Sequence, residues 1–415
     1  MSGYRRQRGL ALLAVLSMLV LGGLAWFLHG LDETPHRQAH DRATERALAT
    51  AKSALIAWSA ARANAPGQLP CPEDPALIGL PNEGMARATC GTPETRVGRL
   101  PWRTLGLPRR FSDGNGDALW YAVSPGFQSP PINSEISLPG LTLDGGAEKV
   151  VALIFSPGPA LPGQDRSAAL PAVENHLDRE NADGTPDDFV ARPPAAPAAF
   201  NDRVVPLSHD ELFAVVERRV ANEVLYRLLE YFCGPDNVTA QNTCRVPGPG
   251  YRAFPRPAAF GDSECLGTAA ISSGRCLSAT SSHVGRVPAN PAPDWTSVDP
   301  QSILRGSTAG GNWFQRNGWR ELVYLAIAPA CLPGAGGCVS GSFLTLVQPA
   351  PEPPQPAQRV IVIVAGRALD ALSQSRAAKT VVSNYLEGEN VTPGDDVFQR
   401  AAKTGLFNDT LSTIP

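Results

Sequence analysis

The sequence has no surplus of basic residues: Lys and Arg total 36 against 39 Asp and Glu, a formal charge of −3. Neutralising nucleic-acid phosphates takes a cationic surplus, so no nucleic-acid partner is expected. There is no Cys-x-x-Cys pair, and no His stands at ligand spacing from a Cys, which argues against structural zinc. A phosphate-binding loop, a dinucleotide fingerprint and a His-Glu-x-x-His helix are all missing. Without them the chain offers no enzyme signature, and no catalytic residue is assigned.

What is present is length, loops and thiols. With 415 residues the chain can form two or three domains, and 40 Pro and 39 Gly predict much turn and short strand. Its 8 Cys form four sequence neighbours: Cys71 with Cys90, Cys233 with Cys244, Cys265 with Cys276, and Cys331 with Cys338. Pairing each with its neighbour pins a local loop and predicts disulfides in an oxidising compartment. Ahead of them, Leu10 to Leu28 carries no charge and is almost wholly apolar, long enough for a transmembrane helix. Arg5, Arg6 and Arg8 precede the run while Asp32 and Glu33 follow it. That bias predicts a single-pass inner-membrane protein with its ectodomain in the periplasm or outside the cell. Trp26 to His29 are too bulky for a small-x-small cleavage site. From Asp41 to Ala63 there is no Gly or Pro, and Leu48, Ala51, Leu55 and Trp58 recur at helical spacing until Pro66-Gly67.

Arg6 to Leu10, a basic leader ending in Gly9 and followed at once by the apolar run, resembles the start of type IV pilins and type II secretion pseudopilins. The resemblance implies processing after Gly9, with Leu10 the first mature residue, and a helix that continues outward to dock on a β-sheet. It also implies a structural role in a filament. The partners would be other pilin or pseudopilin subunits, met through the N-terminal helix, and the inner membrane. Where the family usually has Glu at the fifth mature position, this chain has Ala14; members lacking that Glu resemble minor, tip-located subunits. The alternative is a plain membrane-anchored ectodomain that binds or adheres and joins no filament. Leu69-Pro-Cys71-Pro, with Gly98-Arg-Leu-Pro-Trp102 and Leu119-Trp-Tyr121, also looks like bacterial pilin-like proteins of unassigned role.

The two halves echo each other. Gly98-Arg99-Leu100-Pro101 answers Gly285-Arg286-Val287-Pro288, and Phe precedes Tyr by ten positions in both (Phe111 to Tyr121, Phe314 to Tyr324). An Asn-Gly pair lies between them each time, Asn115-Gly116 and Asn317-Gly318, predicting a hairpin turn. Apolar strands at 149–155 and 359–364 are each followed by Gln-x-Arg, at Gln164 and Gln374. Val173 to Asn181 then matches Val382 to Asn390. Ser208 and Glu211 form a capping box for a helix that Gly234-Pro235 ends. The expected fold class is α+β: a leader and transmembrane helix over 1–30, then two pilin-like helix-plus-antiparallel-sheet domains over 31–207 and 208–415.

The duplicated acidic loops are the site candidates. Asp178, Glu180, Asn181, Asp183, Asp187 and Asp188 form one set, and Glu387, Glu389, Asn390, Asp395 and Asp396 the other. Such oxygen-rich loops suit calcium, the one cofactor expected as possible and none as required; the competing reading is that Asn and Asp cap turns. Asp113-Gly-Asn115-Gly-Asp117 reads as a hairpin turn, and His36 and His40 as solvated side chains. His176, aligned with Tyr385, reads as a packing position. Ser208-His209-Asp210 are sequence neighbours whose side chains diverge, so they form no triad.

Overall fold

The structure, a computed structural model, describes residues 4–182, 187–191, 200–234, 238–239, 244, 253–262, 265–266, 276, 282–289, 303–304, 312–335 and 337–415. It opens with α1 (Tyr4–Ala61), a helix of 58 residues that runs through Pro35. Burial begins at Thr44, and Leu48, Ala51 and Leu55 turn one stripe into the core. Gly67 follows the helix at φ +99, and a Cβ there would lie 2.7 Å from Ile132 Cγ2.

Among the described residues, no helix is long and apolar enough to cross a membrane. This corrects the expected transmembrane helix and, with it, the single-pass inner-membrane placement. A span needs about 20 consecutive apolar residues. The run is continuous with a charged stretch of the same helix that meets the first sheet at His40, Asp41 and Thr44.

After α1 come α2 (Pro93–Arg96), β1 (Val97–Arg99), β2 (Trp120–Val123), β3 (Thr142–Leu143), β4 (Ala152–Ser156), β5 (Asp188–Phe189) and β6 (Arg203–Leu207). A sheet of order β1-β2-β4-β6, antiparallel throughout, packs one face on α1; β3 and β5 make a small parallel pair outside. The chain then enters α3 (His209–Cys233), α4 (Trp313–Arg316), α5 (Trp319–Leu322) and seven further strands. These are β7 (Val284–Arg286), β8 (Val323–Ile327), β9 (Leu344–Val347), β10 (Gln355–Gln358), β11 (Val360–Val364), β12 (Val397–Gln399) and β13 (Thr410–Ile414). The second sheet, β7-β8-β11-β13, is again all antiparallel, and β9 and β12 again form a parallel pair, with β10 added. The fold is α+β, and one topology occurs twice. Alternating faces explain the pattern: the inner face of each sheet meets its helix, and β2, β4, β8 and β11 are buried along their whole length.

The sheets align one position away from the sequence echo. Arg99 pairs with Trp120 in β1–β2, and Arg286 with Tyr324 in β7–β8. Trp120, not Tyr121, is therefore the counterpart of Tyr324; Tyr121 faces inward and donates its hydroxyl to Pro70 O. Asn115-Gly116 turns as expected, with Asp113 accepting from the Asn115 and Asp117 amides. Asn317-Gly318 does not. It lies between α4 and α5, because the segment before β8 is helical.

The halves share one core. Residues of α1, of the first sheet's inner face, of α3 and of the second sheet form a single apolar cluster, whereas Trp120, Leu153, Phe155 and Phe189 make a smaller one outside the first sheet. Asn317, wholly buried, sits at the seam. Its Oδ1 accepts from Ile132 N at 2.8 Å, its Nδ2 donates to Asn64 O, and its carbonyl accepts from Asn133 Nδ2 at 2.6 Å. Glu135 accepts from Arg376 and the Ala368 amide, and Lys52 pairs with Glu211 at 2.5 Å.

Candidate functional site

The disulfides join Cys71 to Cys90, Cys233 to Cys244, Cys265 to Cys276 and Cys331 to Cys338. They point to an oxidising compartment.

The acidic loops close into a buried clasp, built the same way in both halves. In the first, Asp178 accepts from Gln164 Nε2 through Oδ1 and from the Asn201 and Asp202 amides through Oδ2. Asp202 Oδ2 accepts in return from Asp178 N and Asn181 Nδ2, at 2.9 and 2.8 Å. Asn181 also exchanges two bonds with the Val190 backbone. In the second, Glu387 accepts from Gln374 and the Asn408 and Asp409 amides. Asp409 accepts from Glu387 N and Asn390 Nδ2, and Asn390 exchanges two bonds with Gln399. The clasp ties each acidic loop to the start of β6 or β13, and explains why Gln recurs in Gln-x-Arg. Arg166 and Arg376, the Arg of that motif, hold the Gly158 and Gly366 carbonyls.

Burial shapes the electrostatics. Asp202 and Asp409 each keep one oxygen without a hydrogen-bond partner. Burial, reinforced by the Asp178 charge, lifts Asp202 to about 7 against the hydrogen bonds it accepts. Burial and the neighbouring Glu387 lift Asp409 well above the usual carboxylate range. Neither residue stands out by local spacing, although Phe200-Asn201-Asp202 and Phe407-Asn408-Asp409 repeat the same tripeptide.

The other acids disperse. Asp187 pairs with Arg96 at 2.8 Å and its counterpart Asp396 with His283 at 2.7 Å; both acids sit at positive φ. Asp188 accepts from Thr142 Oγ1 and Asp395 from Val397 N. Glu180 and Glu389 are exposed. Asp183 lies outside the described residues. Glu180, Asn181 and Asp187 share the wall of a cavity of about 220 Å³ with Arg96 and Phe189. Among the described residues, no group of three His, Cys, Asp or Glu could hold a metal ion.

Gly9 and Leu10 fall within α1. His40 lies 3.4 Å from Asn115 Oδ1. His176 packs against Trp120 with the rings tilted, and burial with Arg166 and Arg99 depresses it to about 4, so it stays neutral. Ser208 Oγ caps α3, and His209 is buried against Phe213, which leaves no triad.

Two open clefts flank the helices. One, of about 430 Å³, lies between α1 and the first copy, where Arg203 is paired with Asp41. The other, of about 410 Å³, lies between α3 and β13 and presents Arg218, Asn222, Arg400 and Lys403. No protein-family model, curated protein or solved structure matches the chain.

Proposed function

We propose that the chain is a structural assembly subunit of the pilin or pseudopilin kind, a double-sized head carried on one long helix. The observation that supports it is the leading part of α1. Met18, Leu19, Val20 and Leu21 are 61–74% exposed on a helix that is held to the head further along, at His40, Asp41 and Thr44. Exposed apolar side chains on a helix are stabilised by burial against like helices, at roughly 25 cal/mol per Å². Two sheets sharing one core make the head stiff enough to be carried by such contacts.

The test is sedimentation of the full chain and of a Leu19→Asp, Leu21→Asp double variant. The native chain should self-associate and the variant should not, while both heads melt together. A native chain that stays monomeric, or association that survives the substitutions, would overturn the proposal. Co-expression with a prepilin peptidase should yield an N-terminus at Leu10 by mass spectrometry. A second reading, a binding or adhesive head, is favoured by the cationic cleft beside α3.

A further inference from the structure

We propose that the cleft between α3 and β13 is a binding site for a small dianionic oxyanion, a phosphate or a dicarboxylate. The inference does not depend on the assembly reading.

The cleft brings two guanidinium groups together, and neither is ion-paired to a carboxylate among the described residues. Arg218, exposed on α3, has no hydrogen-bond or ion-pair partner among the described residues. Arg400 makes only two long hydrogen bonds, to Gln348 Oε1 and Leu411 O, each of 3.3 Å. Burial, and then the neighbouring Arg218 charge, push Arg400 below its ordinary range, against the pull of Glu352.

The nearby acids are spoken for. Glu217, wholly buried, is bound by Lys403 and by Thr410 Oγ1 at 2.8 Å. Asp409, on the cleft wall, is wholly buried, and burial with the neighbouring Glu387 drives it toward its neutral form, so it adds little negative charge to the cleft. Asn222 receives Ser412 Oγ on its carbonyl oxygen, which leaves its amide hydrogens to point elsewhere. Two like charges in a half-buried cleft repel, and an oxyanion between them relieves the repulsion while taking charge-assisted hydrogen bonds from both. In the first copy the matching cleft is already neutralised, because Arg203 is paired with Asp41.

The full chain, titrated with inorganic phosphate and separately with succinate at constant ionic strength set by sodium chloride, tests this by calorimetry and thermal shift. At least one anion should bind and raise the melting temperature where chloride alone does not. Arg218→Gln, at an exposed position, should leave the anion-free melt unchanged. It should weaken binding about tenfold, as expected for one charge-assisted hydrogen bond; Arg218→Lys should recover part of the loss. Phosphate binding without succinate, or the reverse, fixes the anion class. Equal stabilisation of native chain and Arg218→Gln, or an effect matched by chloride, would overturn the site.

Discussion

Asp202 is carried into the outer core by the start of β6, where one carboxylate oxygen meets two donors and the other meets none. Its pKa is raised to about 7 in the folded chain against an ordinary value of 3.8. The folded state therefore holds a proton that the unfolded chain releases. The stability this supplies is complete below pH 3.8 and is lost as pH rises through about 7. Urea midpoints should fall between pH 5 and pH 8. Asp202→Asn, which keeps an acceptor for both donors, should shrink that fall by roughly 2–4 kcal/mol; an equal fall in native and variant would remove Asp202 as its source. Asn317→Ala should cost about 1–3 kcal/mol in the same assay, because it strands Ile132 N in the buried seam and removes the bond to Asn64 O. At this scale the sequence was half legible. Repetition drew attention to Asp178 and Glu387 as ligand candidates, yet their meaning lay in the partners. Asp202 and Asp409 arrive from more than twenty residues away, and no local spacing reveals that carboxyls will be buried face to face.

α3 was readable because its ends are written locally. Ser208 Oγ accepts from Glu211 N, Glu211 answers to the Ser208 amide, and Gly234 leaves the helix at φ +91. Ser208→Ala should lower stability by about 1 kcal/mol, checked by denaturant unfolding, and should loosen the Lys52–Glu211 tie to α1. α1 was readable along its packed stripe but not in its role, since hydropathy of a window does not say where a continuous helix begins to pack. The apolar strands expected at 149–155 and 359–364 fall on β4 and β11, but the register was not legible. Matching Tyr121 with Tyr324 slips the sheet by one residue, and one residue reverses which face a side chain joins. Pro349 to Pro356 is rich in proline, yet Gln355–Gln358 pairs with β9 across a bulge, an edge position that tolerates proline.

Across the whole molecule, the halves are related in plan but not independent. Because the main core runs through both, calorimetry should show one cooperative transition; two resolved transitions would mean that each half unfolds alone. Melting with and without a calcium chelator should coincide, since the clasp carboxylates are occupied by backbone and amide donors. Duplication was visible from order alone; the shared core was not, because it depends on contacts more than a hundred residues apart, such as Ile132 with Asn317. β6 ends at Leu207 and α3 starts at His209, so a single residue, Ser208, connects one half to the other. A joint that short has no elbow. With the main core running through both halves as well, prising them apart like a clam shell would bare that core to water.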